Sequence, residues 1–237
     1  MSKARGTSIH RSALAALPKI ELHRHLEGSL RLSTLRDIAI QYKLDLPTRS
    51  IEDLRPYVQV MNDEPNFRNF LEKFNVLRRF YQSPEIIRRV AYEVIEDAAN
   101  DNVRYMELRV TPAALSKTKA YPLNEVTDWV LSAVGEARKK LPSIEVGLLI
   151  SINRHESVEI AEKVTQIAID RKDKGVVGLD LAGDEANFPA KPFTTLFHQA
   201  RESGLGVVAH AQPAAAGKRR RDRRRVPGGA RDHPAGG

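Results

Sequence analysis

Two histidines, His23 and His25, stand at the end of a short segment, residues 19–26, that has the pattern of a β-strand. Side chains at positions i and i+2 of a strand project from the same face, so the two imidazoles are expected to lie side by side. Imidazole nitrogens are good zinc ligands, and this pair is well placed for a metal. The pattern also fits two structural histidines that bond backbone carbonyls or are partly exposed. The pair alone therefore leaves both interpretations open.

A third histidine, His210, follows the apolar run 206–209. A single histidine at a strand end is more often structural than a metal ligand. In a barrel of parallel strands, however, the carboxyl ends of all strands meet at one rim, where active sites are built. His210 would then join His23 and His25, and this favours a three-histidine metal site.

Other strand residues invite a functional interpretation but do not require one. Gly183 ends the fourth strand, where a glycine lets the backbone approach a ligand closely. A plain left-handed turn explains it as well. Glu107 and Arg109 alternate on the second strand, and if both point inward we expect a buried ion pair with a structural role.

The absence of cysteine excludes several classes of protein. A disulfide scaffold, a thiolate zinc finger and a cysteine nucleophile all require that residue. His25 and Glu27 match the H-x-E opening of the cytidine-deaminase type of zinc site, but that class also needs a C-x-x-C pair. The chain therefore does not belong to it.

The elements that must position these residues alternate between strand and helix. The patterns predict strands over 19–26, 103–110, 146–152, 176–181 and 206–210, and helices over 32–43, 66–80, 84–100, 123–141, 157–171 and 193–203, with a polar connection over 45–65. Short, nearly continuous apolar strands are typical of parallel sheets covered on both faces. The order predicts an α/β fold, which a doubly wound sheet and a (β/α)8 barrel both satisfy. Without a G-x-G-x-x-G turn or a P-loop, a nucleotide-binding open sheet is the weaker choice.

The net charge of +8 is unevenly distributed, because residues 211–237 carry six of the eight charges. Ala, Arg, Gly and Pro dominate that segment, which has too few apolar residues to offset the entropy of ordering. We therefore divide the chain into an N-terminal arm (1–17), a folded portion (18–211) and a basic, disordered tail (212–237). Nucleic-acid binding by the run 218–225 is the less favoured interpretation, because it lacks the aromatic residues that stack on bases.

No stretch of about 18 apolar residues occurs in the 237 residues, and the N-terminus lacks the apolar core of a signal peptide. These features predict a cytoplasmic protein without a membrane span. Its length is sufficient to bury a sizeable core. The oligomeric state cannot be deduced from the sequence.

Three motifs follow one another in the chain: P-K-I-E-L-H-R-H-L-E-G-S at 18–29, V-G-L-D-L-A-G-D-E at 177–185 and V-A-H-A at 208–211. Together they resemble the adenosine deaminase family, a group of metal-dependent purine aminohydrolases. The phenylalanine-rich segment 67–74 resembles the lid that covers the family's purine pocket. The resemblance extends over roughly residues 16–211.

The resemblance implies a zinc-dependent (β/α)8 TIM barrel, incomplete here, with its first five strands present. It implies hydrolysis of the 6-amino group of adenosine, with adenine or another 6-aminopurine as the alternative substrate. One zinc ion would be held by His23, His25 and His210. Glu27 would contact the sugar or stabilise the site, and Gly183 would contact the purine ring. The apolar lid over this small-molecule purine nucleoside would consist of Phe67, Phe70, Leu71 and Phe74.

The chain departs from the family pattern directly after His210 and Ala211. The family continues with glycine and then the glutamate that protonates the purine ring, whereas this chain has Gln212 and Pro213. The family's later histidine and Asp-Asp pair, which includes the fourth zinc ligand, have no counterpart in the tail. We therefore expect no catalytic acid, weaker zinc binding and no deaminase activity from the chain as printed. An out-of-frame tail explains this departure, and a non-catalytic protein with a basic nucleic-acid-binding tail is the alternative.

Overall fold

The computed structural model describes residues 11–61 and 67–211. Its centre is one sheet of five strands, β1 (Lys19–His25), β2 (Val103–Val110), β3 (Glu145–Asn153), β4 (Val176–Ala182) and β5 (Gly206–Ala209). All four pairings are parallel, and the strand order is β1-β2-β3-β4-β5. This sequential order is that of a (β/α)8 barrel, since a doubly wound sheet reverses its strand order. The predicted α/β class and the first five strands of a barrel are confirmed.

Helices connect the strands, as the alternation predicts. Within the described residues these are α1 (Arg11–Ala16), α2 (Leu32–Gln41), α3 (Ile51–Val58), α4 (Phe67–Arg78), α5 (Pro84–Asn100), α6 (Pro112–Ser116), α7 (Leu123–Lys140), α8 (Val158–Asp170) and α9 (Thr194–Glu202). The start of α5 follows from its sequence, because the Ser83 hydroxyl accepts a hydrogen bond from the Ile86 N–H and Pro84 occupies the first helical position. None of the described helices is long and apolar enough to cross a membrane.

The prediction that residues 45–65 form only a polar connection is wrong, because α3 lies within it. The Ser50 hydroxyl caps this helix by accepting a hydrogen bond from the Asp53 N–H at 3.1 Å. Leu54 and Val58 are buried on its inner face. Prolines on both sides and one inside the helix obscured its periodicity, and packing against the core stabilises it nevertheless. The short helices α1 and α6 were also absent from the prediction.

The core surrounds β3, in which every residue from 146 to 153 is buried. This continuous burial is what a parallel strand with neighbours on both sides and cover on both faces requires. By contrast, β1 and β5 stand at the two edges of the described sheet. Ile20 and Leu22 on β1 are 69% and 53% exposed. These exposed apolar side chains lie on a strand that has a neighbour on one side only among the described strands.

Replacing Gly178 with alanine is expected to destabilise the fold by about 1–3 kcal/mol, because overpacking at a rigid site strains the backbone. The added Cβ would lie 2.8 Å from the Gly206 carbonyl oxygen on β5 and 2.8 Å from a Leu149 methyl group. The matched control is Gly135→Ala in α7, where a Cβ meets nothing within 4 Å. Alanine there should stabilise the helix by about 0.5–1 kcal/mol. Denaturant unfolding measures both, and equal stability would contradict this close approach of β4 and β5.

Candidate metal centre and adjoining cavity

Three histidine side chains converge although they come from opposite edges of the sheet. The Nε2 atom of His210 lies 2.8 Å from Nε2 of His23 and 3.0 Å from Nε2 of His25. His23 and His25 belong to β1, while His210 directly follows β5 and is anchored there by its N–H, which donates to the Leu181 carbonyl at 2.9 Å. The sheet must therefore curl strongly to bring its first and last strands together. One ring nitrogen from each residue lies within 4.8 Å of the other two.

This donor set fits a zinc ion. Zinc–nitrogen bonds of about 2.0–2.1 Å place two ligand atoms of a tetrahedral site about 3.3 Å apart. The two shortest observed separations, 2.8 and 3.0 Å, are close to that value. Three imidazole lone pairs that face one point repel one another unless protons or a cation separate them. The arrangement thus suits a shared cation better than mutual hydrogen bonds.

The histidines on β1 are in the protonation state that a metal requires. Burial, followed by the nearby His210, lowers the pKa of His25 to about 4. Burial and the charge of Arg109 also lower the pKa of His23. Both rings are therefore neutral at pH 7 and present a lone pair for coordination.

A buried carboxylate, Asp180, lies directly behind His210. Its Oδ1 is 3.1 Å from the His210 Nδ1 atom, and its Oδ2 accepts a hydrogen bond from the Ser151 hydroxyl at 2.8 Å. The Arg109 Nε lies 3.6 Å from the same Oδ2. Asp180 is 0% exposed. No role was predicted for Asp180 from sequence. A lone charged residue in an apolar strand does indicate a buried polar interaction, because such residues are seldom fully buried without partners.

The predicted ion pair between Glu107 and Arg109 is wrong. Arg109 pairs with Asp180, and its Nη1 donates to the Leu22 carbonyl of β1. Glu107 instead accepts a hydrogen bond from the Tyr105 hydroxyl at 3.4 Å. Arg109 reaches past β3 to Asp180 on β4 and also bonds the adjacent strand β1, so its partners lie on other strands and not two residues away on its own.

A cavity of about 410 Å³ opens beside the histidines. Of the residues singled out from sequence, His23, His25, Glu27, Phe70, Leu71, Phe74, Gly183 and His210 line it together. The side chain of Phe67, and Pro213 with the whole tail, lie outside the described part of the chain. The cavity wall also includes Arg78, Thr111 and Asn153, for which no site role was predicted from sequence.

The apolar wall of the cavity is formed by α4. Phe70 and Phe74, one helical turn apart, meet edge to face with their ring centroids 5.2 Å apart. Phe74 also lies against the backbone at Gly28, where an added Cβ would be 3.5 Å from its ring. Gly183 lies directly after β4 and also lines the cavity. Its φ is +104°, a left-handed conformation that glycine adopts without strain.

Glu27 is a polar residue in the lining of this cavity. Its Oε1 accepts a hydrogen bond from the Thr111 N–H at 2.6 Å, while Oε2 is buried and has no hydrogen-bond partner among the described residues. Burial raises the pKa of Glu27, against the lowering effects of the Thr111 hydrogen bonds and the Arg78 charge. A buried acceptor of this kind is free to receive a hydrogen bond from a ligand.

Replacing Glu27 with glutamine is expected to stabilise the folded chain at pH 7. The raised pKa means that the folded state disfavours the carboxylate, so stability is lost as the pH rises above the ordinary value of 4.5. Glutamine removes that cost and keeps an oxygen for the Thr111 N–H. An increase in Tm should appear at pH 7 and shrink toward pH 4. A lower Tm for the variant at pH 7 would contradict this account.

Parallel strands in sequential order, with histidines gathered at their carboxyl ends beside an apolar cavity, define the class of barrel proteins whose functional sites lie at that rim. The chain belongs to the adenosine deaminase family, whose model matches residues 18–219. It is 37% identical over 203 residues to the adenosine deaminase of Clostridium botulinum (85% of this chain, 60% of that protein). It is 35% identical over 201 residues to that of Klebsiella pneumoniae, with the same coverage of 85% and 60%. The chain thus spans about 60% of the length of these relatives.

Solved structures agree with this membership. A zinc-bound amidohydrolase from Burkholderia ambifaria superposes with a TM-score of 0.76 at 25% identity, covering 88% of this chain and 56% of that one. The N6-methyl-AMP deaminase of Arabidopsis thaliana gives a TM-score of 0.71 at 28% identity, covering 85% and 60%. An Arabidopsis protein named ADAL, in complex with GMP, also gives 0.71 at 28% identity, covering 84% and 60%.

Proposed function

We propose that this site binds one zinc ion and adenosine, as the metal- and substrate-binding part of a hydrolytic adenosine deaminase. The observation that carries the proposal is the convergence of His23, His25 and His210 at the wall of a cavity with an aromatic lid. In the full reaction, water replaces the 6-amino group of the purine, giving inosine and ammonia. When bound, zinc supplies a water molecule whose pKa is lowered toward about 7, so that it is a nucleophile at neutral pH.

The remaining cavity residues bind and enclose the nucleoside in this proposal. Phe70, Leu71 and Phe74 cover the faces of the purine and exclude water from the site. The Gly183 backbone approaches the ring closely, which a side chain at that position would prevent. The free Oε2 of Glu27 accepts a hydrogen bond from a sugar hydroxyl. Membership of the family and a zinc-bound neighbour support these roles.

Proton transfer to the purine is the step for which the family's acid is replaced in this chain. The position of the family's glutamate is occupied by Pro213, whose side chain neither donates nor accepts a proton. We therefore propose that the chain as printed binds zinc and adenosine without turning adenosine over. A general acid contributes about 10²–10⁴-fold to a rate, so its loss alone would reduce turnover strongly.

Binding and turnover measured separately on the full chain test these proposals. Zinc content after dialysis should be one ion per chain, and calorimetry should detect adenosine binding to the zinc-loaded protein. Adenine, AMP and cytidine form the comparison panel, in which cytidine should not bind. Failure to bind zinc, or equal affinity for cytidine, would overturn the binding proposal. Ammonia release from adenosine would contradict only the proposed absence of turnover. If adenine or AMP bound more strongly than adenosine, that compound would be the preferred ligand instead.

A further inference from the structure

Both ring nitrogens of His210 have a polar neighbour. Its Nε2 faces the other two histidines at 2.8 and 3.0 Å, and its Nδ1 faces Asp180 Oδ1 at 3.1 Å. A histidine that coordinates through Nε2 must carry its proton on Nδ1, where a hydrogen-bond acceptor holds it. The state of Asp180 therefore decides which nitrogen of His210 is available.

Asp180 is surrounded by donors. The Ser151 hydroxyl donates to its Oδ2 at 2.8 Å, and the Arg109 guanidinium lies 3.6 Å from the same oxygen. A carboxylate paired with a cation in this way offers only acceptor atoms. Consequently, the His210 nitrogen facing Oδ1 must be the protonated one.

The contacts of Asp180 join all five strands. Ser151 lies on β3, Arg109 on β2 and Asp180 itself on β4, while His210 follows β5. Arg109 reaches β1 through the Leu22 carbonyl, which directly precedes His23. The orientation of this carboxylate is therefore determined by several strands at once and not by one flexible neighbour.

We propose that Asp180 is the positioning residue of the metal centre: it holds His210 in the Nδ1-protonated tautomer and so presents Nε2 to zinc. The role of Asp180 toward zinc rests on the metal site proposed above, whereas the tautomer is a property of the metal-free chain. Asp180 acts through His210 and does not itself reach the cluster of ring nitrogens.

The Asp180→Asn variant should reverse the tautomer. In the native chain, the Ser151 hydroxyl donates to Oδ2 and the Arg109 cation lies 3.6 Å from it, so in the variant an amide oxygen will occupy that place. The amide NH₂ then faces the His210 Nδ1 atom and donates to it. This moves the ring proton to Nε2, and a protonated Nε2 cannot coordinate zinc. The same replacement of a carboxylate by an amide beside a histidine produces the wrong tautomer in serine proteases.

Two measurements on the full chain test the proposal. Nitrogen-15 NMR of the metal-free protein should show His210 protonated at Nδ1 in the native chain and at Nε2 in Asp180→Asn. Competition between the protein and a chromophoric chelator for Zn²⁺ should show an affinity loss of about 10–100-fold in the variant. The matched control is Asp128→Asn, the same change in an exposed ion pair with Arg171, and it should leave zinc affinity unchanged.

The outcomes separate this proposal from the zinc site itself. A native His210 protonated at Nε2 would overturn the tautomer assignment without any variant, even if Asp180→Asn failed to fold. Equal zinc affinity of the native chain and a folded Asp180→Asn would overturn the positioning role. If the native chain bound no zinc but showed the Nδ1 tautomer, the metal site would fail while the tautomer assignment stood.

Discussion

Zinc affinity should fall by more than about a hundredfold when His25 is replaced with alanine. Loss of a residue that only supports a metal ligand already lowers metal affinity by about 10–100-fold. Removal of a ligand itself should lower the affinity further. His25 contributes one of three converging nitrogens, and its Nε2 lies 3.0 Å from that of His210. No other imidazole or carboxylate in the described residues joins this group. Competition with a chromophoric chelator measures the affinity directly.

The matched control for this variant is His198→Ala, because His198 is an exposed histidine on α9 outside the cluster. It should bind zinc as the native chain does. Circular dichroism should be the same for both variants, since the His25 ring contacts the other two histidines of the cluster. If His25→Ala kept native affinity, zinc would be bound elsewhere in the chain, and the three-histidine centre would be wrong.

The histidine cluster could be anticipated from sequence because its rules are local. The period of two in β1 places His23 and His25 on one face, and a strand end placed His210 at the same rim. The alternation of strand and helix left the strand order open between a barrel and a doubly wound sheet, and the missing nucleotide-binding turns and the family resemblance favoured the barrel. The family resemblance then linked these positions to a purine pocket, and the family membership it implied is confirmed.

Asp180 and α3 could not be anticipated by the same rules. The environment of Asp180 depends on which residues of three other strands face it, and one strand's pattern carries no such information. The pairing of Arg109 with Asp180, and not with Glu107, could not be predicted for the same reason. The helix α3 depends on the burial of Leu54 and Val58 against the core, which outweighs the effect of a proline inside it.

Adenosine affinity should fall by about 10–100-fold when Phe74 is replaced with alanine. An aromatic ring stacked on a base is worth about 1–3 kcal/mol by alanine substitution, and the proposed site relies on few such rings. Phe74 lines the cavity, packs edge to face on Phe70 at 5.2 Å and lies against Gly28. Its removal therefore both deletes a ligand contact and releases Phe70, which is already 44% exposed.

Calorimetry with adenosine on the zinc-loaded chain measures this loss. Zinc affinity measured in parallel should remain native, because the three histidine rings contact one another and Phe74 packs on Phe70. The matched control is Phe188→Ala, since Phe188 is 40% exposed and does not line the cavity. It should bind adenosine as the native chain does. A Phe74→Ala variant with native adenosine affinity would place the nucleoside outside this cavity. A loss of zinc affinity with it would show that α4 supports the metal centre itself and does more than cover the purine.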